Sequence, residues 1–190
     1  MVQLDHMTRG RVIFGVGRGY HTREVEAFEN PMMDSDANRE LFEEQVDIIH
    51  KAFNEDSFSH KGKNYTIPPE VPYRGYDLKE ITLVPRPISR PVECWQPIVS
   101  ASERGMKFMA KHNMSGIIGG GAAPGGASAN VISEWQRIQH EAGIETELGG
   151  NLAIGLSFHI ADSEKKAIEE ARPFFEENMK MFGPLGFIRG

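Results

Sequence analysis

The stretch Arg11-Val12-Ile13-Phe14-Gly15-Val16-Gly17-Arg18-Gly19-Tyr20 limits the possible folds more than any other. Val12, Ile13 and Phe14 are apolar at consecutive positions, the pattern of a strand buried on both faces. Beyond Phe14 every second residue is glycine. Alternate residues of a strand share one face, so Gly15, Gly17 and Gly19 strip that face bare where the strand ends. A bare backbone weakens a strand and is expected where something bulky comes close or the chain bends sharply. Arg18, set among the glycines, can present a fixed cationic fork to a phosphate. One reading is a strand end that receives a phosphorylated cofactor; the other is a tight glycine turn with a surface arginine. The spacing is Gly-x-Gly-x-Gly, not the dinucleotide fingerprint Gly-x-Gly-x-x-Gly, and no helix opens at the third glycine.

Elsewhere the hydrophobic pattern places alternating elements. Leu4 and Met7 form one side of a final helical turn that Gly10 stops. The next firm helix runs over about 36–53, with Asp34, Ser35 and Asp36 as candidate caps. Its apolar stripe is Leu41, Phe42, Val46, Ile49 and Phe53. Arg39 and Glu43, four residues apart, share a face and read by themselves as a solvated salt bridge worth under about 1 kcal/mol. Residues 58–67 read as a hairpin turning at Lys61-Gly62-Lys63-Asn64. Residues 68–75 read as irregular, with Tyr73 and Tyr76 packing the loop or touching a substrate, and 81–84 as a short extended piece.

Residues 98–101 read as a strand passing at Ser102 into a helix through Met106, Met109 and Ala110 to about His112 and Asn113. Residues 115–118 form the next strand, running into Gly119-Gly120-Gly121 and then Gly125-Gly126. Ser128 caps a helix that buries Val131, Trp135, Ile138 and Ala142, with Gly143 as its stop. Residues 152–160 make a last strand, and Asp162 caps a helix that Pro173 kinks or restarts before Phe182. The order is strand–helix four times, with an insertion after the first helix. It means parallel strands with helices outside. An open doubly wound sheet and a closed eight-fold barrel both fit, and both gather ligands at the C-terminal ends of the strands. Four units are half of a barrel, which takes about 250 residues, whereas this chain has 190.

The junction Ser100-Ala101-Ser102-Glu103-Arg104-Gly105 is a second candidate anion site. There the free N–H groups and positive dipole end of a helix meet a strand end. Ser102 can add a hydroxyl and Gly105 keeps the first turn open; the plainer reading is that Ser102 only caps the helix. Gly119-Gly120-Gly121 could lie under a flat ring or be flexible loop. The seven histidines show no metal spacing and none pairs with Cys94, so no metal is expected. His21 and His159 fall near strand ends, as proton donors or as ordinary polar residues. Trp95 and Trp135 read as packing. No Ser/His/Asp arrangement can be assembled, and no catalytic residue is assigned.

Lys plus Arg number 21 against 27 Asp plus Glu, a formal charge of −6, which argues against a general nucleic-acid or anionic-membrane binder. A single cysteine rules out an internal disulfide and points to a reducing compartment. With no signal-peptide pattern and no long apolar run, a cytoplasmic location is expected.

Three passages together resemble the luciferase-like flavin-dependent monooxygenases, the family of bacterial luciferase and alkanal monooxygenases. They are LDHMTRGRVIFGVGRGY, the helix with Arg39 and Glu43 preceded by Phe28, and LVPRPISRPVECWQPIVSASERGMKFMAKHNMSGIIGG. The resemblance implies a TIM-type (β/α)8 barrel family, with about four central βα units in this chain. It implies a partial luciferase-like monooxygenase domain over residues 1–190, lacking a counterpart to the N-terminal strands and to the last unit. It implies oxygen activation by reduced FMN acting on a small-molecule substrate such as an aldehyde, ketone or alkane, and FMN bound by Gly17, Arg18, Gly19, Tyr20, Arg39, Ala101, Ser102 and Gly105. A separate flavin reductase and a homo- or heterodimer are implied partners. A deazaflavin-dependent oxidoreductase is the close variant. A non-catalytic flavin-binding paralogue and a remnant completed by a partner chain are the others. Gly17 stands where bacterial luciferase has a reactive cysteine, so light emission is not implied.

Overall fold

The computed structural model describes residues 1–19, 22–31, 33–99, 101–119, 127–155 and 157–182. Tyr20, His21, Ser100, Gly120, Gly121, Gly125 and Gly126 lie outside the described residues. The chain divides into two compact units, Met1–Gly155 and Leu156–Gly190.

The first unit opens on helix α1 (Val2–Thr8), which ends at Arg9 in the left-handed conformation, followed by Gly10 at φ 77°. Strand β1 (Phe14–Gly15) begins two residues later than the apolar run, and Val16 N–H extends its pairing to the Trp95 carbonyl at 2.9 Å. A short helix α2 (Thr22–Val25) and a 3-10 turn (Glu26–Phe28) lead to helix α3 (Ser35–Asn54). Asp34 caps α3 by accepting from the Asp36 and Ala37 N–H groups, satisfying donors the helix leaves unpaired. Phe42 and Val46 bury the expected face.

The insertion after α3 holds two hairpins. The expected one is β2 (His60–Lys61) against β3 (Thr66–Ile67). The second, β4 (Pro72–Tyr73) against β5 (Tyr76–Asp77), replaces the irregular segment expected over 68–75. Its turn is Arg74-Gly75, both at positive φ (49° and 89°), the geometry that matches the twist of a hairpin. Glu44 of α3 ties the first hairpin down. Its carboxylate accepts from the N–H groups of Asn64 and Tyr65, from the Asn64 amide and from His60. Burial alone would raise the Glu44 carboxyl, but these four donors hold it down to about 2.

Strand β6 (Cys94–Ile98) lies upstream of the strand expected over 98–101, because the ladder runs through Pro97 to Ile98. Helix α4 (Glu103–Lys111), strand β7 (Ser115–Ile118) and helix α5 (Ala127–Glu141) follow. Ser128 falls inside α5 and is not its cap. Trp135 and Ile138 are buried on α5, while Ala142 is exposed. Strand β8 (Leu152–Ile154) stops well short of residue 160.

The four main strands are all parallel and stand in the order β1-β6-β7-β8. Each is joined to the next along the chain, so the order never reverses. A doubly wound sheet reverses at a switch point; a barrel wall does not. The register Phe14↔Cys94, Gln96↔Gly116, Ile98↔Ile118 and Gly116↔Leu152 sets one face of the sheet. That face, with Val16, packs on α3, α4 and α5 through Phe42, Val46, Met106, Met109, Met114, Trp135 and Ile138. The Trp135 indole also donates to the Gly150 carbonyl at 3.0 Å, so its polar edge is satisfied inside the core. The other face carries Gly15, Trp95, Pro97, Ile117 and Ala153. Nothing lies within 4 Å of a Cβ built on Gly15 or Gly17, so that face is open above β1.

In the second unit, helix α6 (Glu164–Phe182) runs through Pro173 without interruption. Ser163, not Asp162, caps it, accepting from Lys166 N–H at 3.3 Å. Asp162 instead pairs with the Lys166 ammonium at 2.7 Å.

Candidate functional site

The glycine stretch and the strand–helix junction, more than 80 residues apart in sequence, meet at the C-terminal ends of β1 and β6. There a cleft of about 240 Å³ is lined by Gly17, Arg18, Gly19, Arg39, Ser102 and Gly105 from the expected set. Its remaining lining is Gln96, Pro97, Ile98, Val99, Met106 and Met109. Ala101, exposed, directly precedes this wall without lining it. Tyr20 lies outside the described residues. Sites that enclose a whole ligand run to roughly 300–1,000 Å³, so this cleft has room for one end of a ligand. Two larger cavities lie elsewhere. One of about 510 Å³ sits between the hairpins, and one of about 580 Å³ sits at the N-terminal ends of the strands. Neither is lined by the glycine strand or the arginines.

Local sequence explains how each wall is built. Gly19 adopts φ 78°, and a Cβ there would stand 2.4 Å from Val25 Cγ2, so only glycine lets the chain turn out of β1 beneath α2. Arg18 follows the strand end and points across it, its Nη1 donating to Asn38 Oδ1 at 3.2 Å. Ser102 caps α4, its hydroxyl accepting from Gly105 N–H at 3.4 Å. A Cβ on Gly105 would lie 3.5 Å from Arg39 Nη1 and 3.6 Å from Ser102 Oγ. The Arg39 guanidinium therefore stands over the first turn of α4.

The electrostatics are unbalanced. A cation at a helix N-terminus faces the positive end of the dipole, the unfavourable arrangement. Arg18, Arg39 and Arg104 crowd the same region. Burial, then the charge of Arg39, push Arg18 below its usual value, while Glu43 pulls it back. The expected Arg39–Glu43 pair does not form. Glu43 instead makes a two-pronged ion pair with Arg104, at 3.1 Å to Nε and 2.8 Å to Nη2. Spacing along one helix competes here with a partner 61 residues away, and the tertiary partner offers the bidentate geometry. Among the described residues, Arg39 has no ion-pair or hydrogen-bond partner and Arg18 has only a neutral one.

Sequence reasoning missed three residues of this region. Asn38 is buried and holds Arg18. Arg104 was part of the recognised junction but had no assigned partner. Gln96 lines the cleft with its Oε1 buried and unpartnered, an acceptor that a bound donor would satisfy. His159 is engaged with Glu170 at 2.8 Å in an exposed pair, an ordinary polar role. Among the described residues no group of three or more His, Cys, Asp or Glu side chains could hold a metal ion. No described helix is long and apolar enough to cross a membrane.

A barrel-type parallel sheet with a cationic cleft at its C-terminal edge belongs to the class of α/β proteins that receive ligands at strand ends. The luciferase-like monooxygenase family matches residues 1–186, and the chain belongs to that family. Among solved structures it resembles monooxygenase RslO1 from Streptomyces bottropensis, at 18% identity and a TM-score of 0.76, over 97% of this chain and 51% of that one. It also resembles a type II Baeyer-Villiger monooxygenase, the oxygenating constituent of 3,6-diketocamphane monooxygenase from the CAM plasmid of Pseudomonas putida, in complex with FMN. There the identity is 18% and the TM-score 0.66, over 96% of this chain and 51% of that one. Riboflavin lyase (RcaE), with modified FMN and substrate riboflavin, matches at 20% identity and a TM-score of 0.53, over 90% of this chain and 40% of its own. The chain thus spans about half the length of the solved structures it matches or less. No curated protein matches it.

Proposed function

We propose that this chain supplies the flavin-phosphate side of a flavin-dependent monooxygenase. The observation that carries the reading is a pair of arginines in one cleft, Arg18 and Arg39, that have no carboxylate partner among the described residues, with Arg39 over the first turn of α4. A phosphate monoester carries about −1.5 to −2 charge at neutral pH. Placed between the two guanidinium groups and the helix N-terminus, it relieves the repulsion that the cluster otherwise holds.

In this reading Arg18 and Arg39 grip the phosphate as charged forks, Ser102 adds its hydroxyl, and the first turn of α4 at Gly105 offers backbone N–H groups. Gly17 and Gly19 complete the cradle, giving the ligand close approach to the backbone. Gly15, Gly17, Pro97 and Val99, on the open face of the sheet, would leave room for the remainder of the ligand. The residues present fit such a group: the two arginines and the space belong to one cleft, which Gln96, with its buried Oε1 unpartnered, also lines. FMN is preferred over a deazaflavin coenzyme because two of the structural neighbours carry FMN or modified FMN. Reduced FMN, when bound, supplies the activation of O2. The chain's own part is to hold, orient and shield, with an organic small molecule as the oxygenated substrate. A separate reductase would deliver the reduced flavin, and a homo- or heterodimer would be the working assembly.

The test is a titration of the purified chain with FMN and riboflavin side by side, followed by flavin fluorescence. Saturable FMN binding at least tenfold tighter than riboflavin binding is the expected result. Equal affinities would remove the phosphate from the recognition and overturn the reading.

A further inference from the structure

We infer that Asn38 is a positioning residue of the same cleft: it fixes Arg18 through a neutral acceptor, so that the full charge of Arg18 stays available to an anionic ligand. This rests on the phosphate reading above. Asn38 is 7% exposed, sits one residue before Arg39 on α3, and accepts from Arg18 Nη1 at 3.2 Å. Arg11 also rests on a neutral acceptor, the Thr8 carbonyl at 2.8 Å, but four other arginines of this unit are held by carboxylates. Arg104 is held by Glu43, Arg86 and Arg90 by Asp56, and Arg137 by Glu134 and Glu141. A carboxylate of the same size at position 38 would make the stronger, charge-assisted bond to Arg18. For a contact whose only task is to hold the fold, that would be the better choice.

The need for a holder is visible on the far side of Arg18. A second cavity of about 220 Å³ lies there, lined by Arg18, Asn38, Gln45, Asn30 and Glu24 among others. Arg18, with Gly17 and Gly19 on either side of it, lines both spaces and is the only one of the three with a side chain to divide them. Glu24 in the second space is an alternative anionic partner for a guanidinium released by Asn38. The hydrogen bond to Asn38 keeps Arg18 in the wall, and the neutrality of the amide keeps its charge unspent.

Two substitutions separate position from charge. N38D retains the acceptor but adds a negative charge beside Arg18; N38A removes the acceptor. Both are titrated with FMN and riboflavin by fluorescence, with R18A as the reference and thermal unfolding measured alongside. The expected result is a roughly tenfold weaker FMN affinity in N38D, the order expected for one added charge at close range. N38A is expected to lose severalfold, and riboflavin affinity to stay within about twofold of wild type in both, since the effect acts through the phosphate. N38D binding FMN as wild type does, while R18A has lost it, overturns the inference and leaves the phosphate site standing. Equal losses of FMN and riboflavin in either Asn38 variant assign Asn38 to the fold alone and also overturn it. R18A binding FMN as wild type does removes the phosphate site itself. Should N38D fail to fold, the FMN-to-riboflavin ratio in N38A decides by the same criteria.

Discussion

The two ends of the parallel sheet treat charge in opposite ways. At the C-terminal end no carboxylate among the described residues is paired with Arg18 or Arg39, and Arg39 stands over a helix terminus of the same sign. At the N-terminal end the ionisable groups are matched or neutral. Asp47 accepts from His112 at 2.5 Å and from Lys111 at 2.9 Å. His50, its ring 4.4 Å from that of His112, is held down to about 4 by burial and then by the neighbouring His112. His112 is also lowered, by burial outweighing Asp47. Both ends carry cavities, and the larger is at the matched end. Size therefore does not mark the candidate site; unspent charge does.

The largest expected effect that would break this contrast is at Arg18. R18A should weaken FMN binding by roughly 10–100-fold, the scale of one charge-assisted bond, with little change in thermal midpoint. D47N should do the reverse at the other end. It removes the negative charge that Lys111 and His112 share and one of the two accepting oxygens, and should cost about 1–3 kcal/mol by denaturant unfolding, with FMN affinity unchanged. An R18A protein that loses stability but not FMN affinity would erase the contrast.

A pH series sharpens it. In the unfolded chain His50 titrates near its ordinary value, whereas in the folded chain it does not take up a proton until about pH 4. Between those values the unfolded state binds the extra proton, so stability falls as pH drops from about 6.5 toward 4. H50Q should flatten part of that slope, by roughly 1–2 kcal/mol across the window after allowance for partial solvent access. His112, lowered in the same direction, should keep the rest. The smallest effect belongs to Ser102. S102A should cost about 1 kcal/mol of stability for the lost cap and reduce FMN affinity only severalfold, since Arg18 and Arg39 remain.

Local signals carried much of this structure into the sequence. Helix α3 was legible because its stripe repeats at helical spacing behind an Asp34 cap, and β7 because four apolar-rich residues precede a glycine run. Six of the eight expected cofactor residues line one cleft; the glycine spacing and the Ser at a strand–helix junction point to it from the residues, with a plain turn and a plain cap as the alternatives, whereas Arg39 is reached only through the family resemblance. Signals that compete across distance were not legible. Glu43 had an arginine one helical turn away and took another from α4. β6 was expected too late because Pro97 reads as a breaker, although a ladder tolerates it between Gln96 and Ile98. The second hairpin had its signal in Arg74-Gly75, between two tyrosines, and was passed over for lack of a longer strand on either side. Asn38 had none: an asparagine in the first turn of a helix looks the same whether it faces water or an arginine.

Glu44 also bears on how this scaffold can vary. Two of the donors that fasten the first hairpin to α3 are main-chain N–H groups, of Asn64 and Tyr65. Every residue except proline has one. The insertion is thus secured in part by a grip that ignores which amino acids pass through it, beside side-chain ties from His60, Lys63, the Asn64 amide and the Tyr65 hydroxyl. Residues 64 and 65 can therefore change, short of proline, without losing this grip, whereas at Gly62 any Cβ would overlap the Glu44 carboxylate, so that position is fixed together with the acid it faces.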